Sequence, residues 1–165
     1  MLYITHQVTY YPAPLRRALM AVDGYLTLGM PADATAELDG IAPAHQKASP
    51  VLRARIRILL HQRKWRQAEA LAHEGSRRYP EENEFMVQRA FALHQQERGD
   101  EALKVLLDAP AWIRRTGILH YNLACYEAQL GDIGTARQCI RRAIKINKAF
   151  GRNARKDPDL QRLWN

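Results

Sequence analysis

Four alanines recur at intervals of 34 residues along this chain: Ala34, Ala68, Ala102 and Ala136. Four further columns keep the same spacing and hold mostly apolar or small residues. A fixed period of this length is typical of helical repeat arrays, in which each repeat buries its apolar face against the next. A small side chain in the second helix of a pair lets the two backbones approach closely. The period therefore predicts an all-α chain of antiparallel helix pairs.

The alanine register divides the chain into four repeats and two flanks. The repeats are 15–48, 49–82, 83–116 and 117–150, preceded by an extended or disordered segment 1–14 and followed by a C-terminal cap 151–165. Turn residues lie near the expected helix ends. Gly99-Asp100 and Gly131-Asp132 each predict a left-handed helix end followed by an N-cap, and Ser49 predicts the N-cap of another helix.

The predicted cap contains an apolar cluster of Leu160, Leu163 and Trp164, which follows a helix-start signal. The last repeat of a solenoid exposes an apolar side that a terminal element has to cover. We therefore expect the cluster to pack near Phe150. A C-terminal recognition tail is the alternative interpretation.

Composition restricts the class of protein. The hydrophobic share of 47% and the charged share of 25% are typical of a globular domain and not of a disordered chain. No apolar run approaches the roughly 18 residues of a membrane span, and no secretory signal begins the chain, so a cytoplasmic protein is expected. Cys125 and Cys139 form no CxxC pair and are expected to be reduced thiols in the core.

Catalytic motifs are missing from the sequence. The six histidines form no HExxH pattern, and neither a GxSxG elbow nor a phosphate-binding loop is found. We expect a non-enzymatic protein without a cofactor or a bound metal.

At this point the chain resembles the tetratricopeptide repeat family over about residues 15–150. The fourth repeat matches best, with the packing residues Leu123, Ala124, Gly131, Asp132, Ala136 and Ala143, and the second adds Trp65, Ala68 and Pro80. Arg55 and Arg89 depart from the family, because they stand in a column that usually holds leucine. Their stems are expected to pack while each guanidinium reaches an acidic partner, and a looser contact between helices is the alternative. The resemblance implies a right-handed superhelix whose concave groove, lined by the first helix of each pair, binds peptides or partner helices.

The resemblance also implies which residues line that groove. These predicted groove residues are Leu19, Arg53, Arg57, His61, Val87, Phe91, His94, Tyr121 and Asn122. Arg53, Arg57 and His61 share a helix face through their spacing, and Asp23 should lie beside Arg57 in the same row. Arginines suit carboxylates and the aromatic residues suit apolar anchors, so the predicted ligand is an acidic–apolar segment of another protein. A solvated face with ordinary arginine content is the alternative, and Asn122 could instead bridge neighbouring helices.

A second surface is suggested by the net charge of +8. The residues Arg137, Arg141, Lys145 and Lys148 recur at helical spacing and form a predicted basic stripe on the convex side. Nucleic acid or another polyanion is therefore an alternative partner. A secretion-type chaperone and self-association, with segment 1–14 lying in a groove, are further alternatives.

Overall fold

A computed structural model describes residues 11–164. These residues form nine α-helices and contain no strand, which confirms the all-α prediction. The helices are α1 (Ala13–Thr27), α2 (Pro31–Asp39), α3 (Ser49–His61), α4 (Trp65–Arg78), α5 (Asn83–His94), α6 (Gly99–Leu107), α7 (Gly117–Leu130), α8 (Ile133–Ile146) and α9 (Ala149–Ala154). Short 3₁₀ helices span Pro43–His45, Ile113–Arg115 and Pro158–Leu163. Within 11–164 no helix combines the length and apolar character needed to cross a membrane.

The described chain separates into two compact units at the bond between Pro80 and Glu81. In unit 1, α1 packs on α2 and α3 packs on α4, while α3 also contacts α1 and α2. In unit 2, α5 packs on α6 and α7 packs on α8, and α7 also contacts α5 and α6. Neighbouring helices thus pack in pairs within each unit, as the period predicts.

All four periodic alanines are fully buried. Ala34, Ala68, Ala102 and Ala136 lie in α2, α4, α6 and α8, which are the second helices of the four pairs. A methyl group is the largest side chain that such a close helix crossing accepts without displacing its neighbours. Burial at every repeat therefore explains why this column carries the strongest period in the sequence.

The turn between α7 and α8 has the predicted chemistry. Gly131 adopts a left-handed backbone with φ of 92°, a conformation that costs residues with a Cβ more than it costs glycine. The carboxylate of Asp132 then accepts a hydrogen bond from the backbone nitrogen of Thr135 at 2.9 Å and caps α8. This predicted cap is confirmed.

Two other predicted caps differ from the structure by one or two residues. Glu97, and not Gly99, holds the left-handed position with φ of 62°, and Gly99 is already the first residue of α6. Ser49 likewise lies inside the first turn of α3, buried, after Ala48 in the N-cap position. Glycine and serine signal a nearby helix end, but the hydrogen bonding of the turn decides which residue occupies the cap.

The chain after α9 returns to the core of unit 2. We name Asp157–Trp164 the C-terminal segment; its 3₁₀ helix packs on α7 and α8. Leu160 and Leu163 are buried in the same apolar cluster against which Phe150 packs, as the cap prediction requires. Trp164 stays at the edge of the cluster, 41% exposed, and its indole nitrogen donates to the carbonyl oxygen of Ala154.

Candidate functional site

The C-terminal segment fixes two carboxylates against one face of α7. The hydroxyl of Tyr121 donates to Oδ2 of Asp157 at 2.6 Å, and Nε2 of Gln129 donates to Oδ1 of Asp159 at 2.7 Å. The backbone nitrogen of Asp159 donates to Oδ1 of Asp157 at 3.0 Å. Hydrogen bonds to ionised acceptors are shorter and stronger than neutral ones. The acidic end of the segment is therefore held by α7 as well as by its own backbone.

Cys125 lies between these two anchor points, since residues 121, 125 and 129 share one helix face. Its side chain is buried, and Sγ is 3.9 Å from Oδ2 of Asp157. Burial raises the pKa of the Cys125 thiol far above its ordinary value, and the nearby carboxylates of Asp157 and Asp159 raise it further. The thiol is thus protonated at neutral pH while no cation is bound beside it.

Tyr121 has a perturbed hydroxyl for related reasons. Burial raises its pKa well above the ordinary value of a tyrosine, and its hydrogen bond to the Asp157 carboxylate raises it further. The hydroxyl consequently remains a hydrogen-bond donor over the whole range in which the protein is folded near neutrality.

His94 approaches the same carboxylates from α5. Only 7% of its side chain is exposed, and its ring stacks on Tyr126 with 4.5 Å between centroids. Nε2 lies 3.9 Å from Oδ2 of Asp159, which is longer than a hydrogen bond. Burial lowers the pKa of His94, and the opposing effect of Asp159 is smaller, so the imidazole is neutral near pH 7.

The predicted groove residues of unit 2 therefore have different surroundings. Tyr121 and His94 contact the C-terminal segment, and His94 is buried rather than open to a groove. Val87 is half-buried, and Phe91 is 37% exposed. The amide of Asn122 donates to the carbonyl oxygen of Ile118 at 2.8 Å, within its own helix.

In unit 1 the predicted neighbours Asp23 and Arg57 are in contact. Nη1 of Arg57 lies 2.8 Å from Oδ1 of Asp23, and this ion pair joins α3 to α1. Both side chains are partly in solvent, with exposed fractions of 39% for Arg57 and 61% for Asp23. Of the other predicted groove residues in this unit, Leu19 packs against the core, Arg53 is half-buried and His61 is exposed.

Arg55 has the acidic partner that its unusual column requires. Nη1 donates to Oδ1 of Asp39 at 2.9 Å, and Nη2 donates to Oε1 of Gln46 at 2.8 Å. Gln46 in turn donates to the carbonyl oxygens of Leu38 and Ile41. The guanidinium thus ties the turn after α2 to α3, which is a structural task and not a sign of a ligand.

All four residues of the predicted basic stripe are exposed, but only three of them lie on one helix. Arg137, Arg141 and Lys145 project from α8. Helix α8 ends at Ile146 because Asn147 has extended backbone angles, so Lys148 lies beyond the helix. Nε of Arg137 also donates to the carbonyl oxygen of Leu163 at 3.3 Å and fastens the end of the C-terminal segment.

Three residues of this site, Asp157, Asp159 and Gln129, are not predicted as functional residues from the sequence. A signal was nevertheless present, because the two aspartates are the only acidic residues after Asp132, in a stretch with eight basic residues between 133 and 156. Carboxylates isolated in a basic region point to a local partner. Finding the partners on α7 requires the folded chain, since Tyr121 lies 36 residues from Asp157 and Gln129 lies 30 residues from Asp159.

No protein-family model and no curated protein sequence matches this chain. Its function is therefore proposed from the contacts described above. These contacts define an all-helical chain in which a short segment with two carboxylates and two buried leucines lies on the first helix of a helix pair.

Proposed function

We propose that this chain is a tetratricopeptide-type solenoid that binds an acidic–apolar segment of a partner protein on the first helices of its repeats. The buried alanine column and the pairwise helix packing support this architecture. Repeat arrays of this kind expose extended surfaces that suit peptide and helix ligands. The proposed role is that of an adaptor or scaffold without catalytic chemistry.

The single observation that carries the proposal is the position of the chain's own C-terminal segment. Asp157 and Asp159 accept hydrogen bonds from Tyr121 and Gln129 on α7, while Leu160 enters the apolar core. Carboxylates met by fixed donors, beside leucines in an apolar cluster, are the combination expected of a ligand for such a face. A partner segment with the same pattern is the ligand that we propose.

In unit 1 the proposed contact residue is Arg57, with Arg53 and His61 on the same face of α3. The guanidinium of Arg57 is engaged with Asp23 in a partly exposed ion pair, and such pairs contribute little free energy. A partner carboxylate can therefore join or replace Asp23 at low cost, and arginine holds carboxylates with two parallel hydrogen bonds. Leu19 is proposed as an apolar contact in unit 1, and Val87 and Phe91 are proposed as apolar contacts of unit 2 by itself.

The test uses the full chain and a labelled peptide with the sequence KDPDLQRLW, identical to residues 156–164. A second peptide carries asparagine in place of both aspartates. Fluorescence anisotropy should give saturable binding of the acidic peptide and weaker binding of the amide peptide. Arg57→Glu should raise the Kd for the acidic peptide about tenfold, because a charge-assisted contact of about 1.4 kcal/mol is lost.

Arg66→Glu is the matched control, because Arg66 is an exposed arginine of the second helix α4 and the charge change is the same. This variant should bind like the wild type. An unchanged Kd in a folded Arg57→Glu chain, or equal Kd values for the acidic and amide peptides, would overturn the proposed contact. Circular dichroism of both variants establishes that they are folded.

A polyanion is the second candidate ligand, supported by the exposed side chains of Arg137, Arg141 and Lys145 on one helix. Binding to a nucleic acid through n phosphates should weaken with salt, with a slope of about −0.9n on logarithmic axes. Arg141→Glu together with Lys145→Glu should reduce that slope by roughly two. A slope that does not change in the double variant excludes the stripe as the contact.

A further inference from the structure

Three potential metal ligands of different chemistry meet under the C-terminal segment. Sγ of Cys125 and one carboxylate oxygen each from Asp157 and Asp159 all lie within 4.8 Å of one another. Tetrahedral zinc holds thiolate and carboxylate ligands at about 2.0–2.3 Å, which places the ligand atoms roughly 3.3–3.8 Å apart. The separations would therefore have to shorten by at most about 1–1.5 Å for these atoms to reach one ion.

His94 is an independent indication, because it is a buried polar side chain that approaches one member of this group, Asp159, from α5. Its side chain is only 7% exposed, and Nε2 points to Oδ2 of Asp159 from 3.9 Å. Its contacts among residues 11–164 are the stack on Tyr126 and this approach to Asp159, and neither is a hydrogen bond. An imidazole nitrogen that is not held by a hydrogen bond is available as a metal ligand.

The carboxylates already have the supporting hydrogen bonds that metal ligands need. Tyr121 donates to Asp157, and Gln129 donates to Oδ1 of Asp159, leaving Oδ2 of Asp159 on the side of His94. Such outer contacts orient ligands and strengthen binding. His94 is also held by its stack on Tyr126. The side chains are thus positioned by the fold and do not have to be ordered by the ion.

We propose that His94, Cys125, Asp157 and Asp159 bind one zinc-class divalent ion, which fastens the C-terminal segment to α5 and α7. One thiol, one imidazole and two carboxylates suit Zn²⁺, whereas Ca²⁺ and Mg²⁺ prefer oxygen ligands alone. The ion would neutralise the two carboxylates and take Cys125 as the thiolate. The thiol proton is released to solvent on binding, and the ion with two carboxylates and one thiolate leaves one net negative charge at the site.

The test uses the full chain, freed of metal with a chelator and titrated with Co²⁺, which replaces Zn²⁺ spectroscopically. We expect saturation at one equivalent, a thiolate-to-cobalt charge-transfer band, and loss of that band when Zn²⁺ is added. Unbuffered titration with Zn²⁺ should release protons, because a thiol binds the ion as the thiolate. Thermal unfolding should move to higher temperature with Zn²⁺.

Cys125→Ser should abolish the charge-transfer band, whereas Cys139→Ser, the matched control at the other buried cysteine, should leave it intact. Asp159→Asn and His94→Gln should each weaken the affinity for Co²⁺ at least tenfold, the size of effect that even outer contacts to a ligand produce. Asp159 is only partly buried, so this variant is expected to fold. The absence of a band in the wild type, a band that survives Cys125→Ser, or an unchanged affinity in folded Asp159→Asn would each overturn the site.

Discussion

Two helices that each begin a helix pair, α3 in unit 1 and α7 in unit 2, carry different kinds of contact. On α7 of unit 2, Tyr121 and Gln129 hold the carboxylates of the C-terminal segment while Leu160 is buried beneath them. On α3 of unit 1, Arg57 forms a partly exposed ion pair with Asp23. The polar contacts on α7 lie beside buried leucine, whereas the ion pair on α3 is partly exposed to solvent.

This difference shows that a shared period does not determine how strongly the contacts on a helix face are held. The period places Tyr121 and Arg57 on first helices in the same way, but the energy of each contact depends on its surroundings. Burial of leucine contributes about 2–3 kcal/mol, whereas an exposed ion pair contributes about 0–1 kcal/mol. The contact of unit 2 is therefore held by its own buried leucines, and the ion pair of unit 1 is the more easily broken of the two.

The largest expected effect is in the apolar part of the C-terminal segment. Leu160→Ala removes a fully buried side chain and should lower the free energy of unfolding by about 2–5 kcal/mol. Leu28→Ala in unit 1 changes a side chain that is 72% exposed and should cost less than about 0.5 kcal/mol. Urea unfolding followed by circular dichroism measures both. Similar values for the two variants would show that the segment does not belong to the core.

Two glycines sharpen the comparison of packing between the units. A Cβ on Gly117 would lie 2.5 Å from Cε2 of Phe150, so Gly117→Ala should destabilise the protein by about 1–3 kcal/mol. A Cβ on Gly24 meets no atom within 4 Å, and this residue lies inside α1. Gly24→Ala should therefore stabilise by about 0.5–1 kcal/mol. Thermal unfolding should show opposite signs, and shifts of the same sign would contradict the packing difference.

The hydrogen bond from Tyr121 tests the polar part of the segment. Tyr121→Phe removes the donor to Asp157 but keeps the ring, and it should lower the free energy of unfolding by about 1 kcal/mol. The loss is no larger because Asp157 is only partly buried and regains some contact with water. Tyr25→Phe, which changes a partly buried tyrosine of unit 1, is the control. Urea unfolding in the presence of a chelator measures both variants. If Tyr121→Phe costs no more than the control, the contact contributes nothing to stability.

The smallest expected effect is in the ion pair of unit 1. A double-mutant cycle with Arg57→Ala and Asp23→Ala should give a coupling energy below about 1 kcal/mol, because both side chains are partly in solvent. The coupling should fall further as salt is added. A coupling above about 1.5 kcal/mol that persists in high salt would remove the contrast between the two units.

The sequence was sufficient to predict the features that depend on local order. Helix pairing follows from the alanine period, because a close helix crossing accepts only small side chains at that column. The cap at Gly131 and Asp132 follows from the backbone angles and hydrogen bonds of one turn. The turn before α6 was less predictable, since Glu97 adopts a left-handed conformation although Gly99 is two residues away.

The candidate site was less predictable because its contacts are long-range. Asp157 had only a helix-start signal, and its bond to Tyr121 joins residues 36 positions apart. His94 had a position in the repeat but no sign that its ring would be buried against Tyr126. The partner of Arg55 was predicted as an acidic residue, and Asp39 fills that place because the turn after α2 lies beside α3.

The separation between Tyr121 and Asp157 also has a consequence for the order of folding events. Helices α7 and α8 are sequence neighbours and pair through local contacts, whereas docking of the C-terminal segment closes a loop of 36 residues. Loop closure has to precede the contacts that reward it, so docking should come late in refolding. The Cys125 thiol lies on the face of α7 that the segment covers. The time at which it becomes protected from an alkylating reagent during refolding should therefore report when the segment docks.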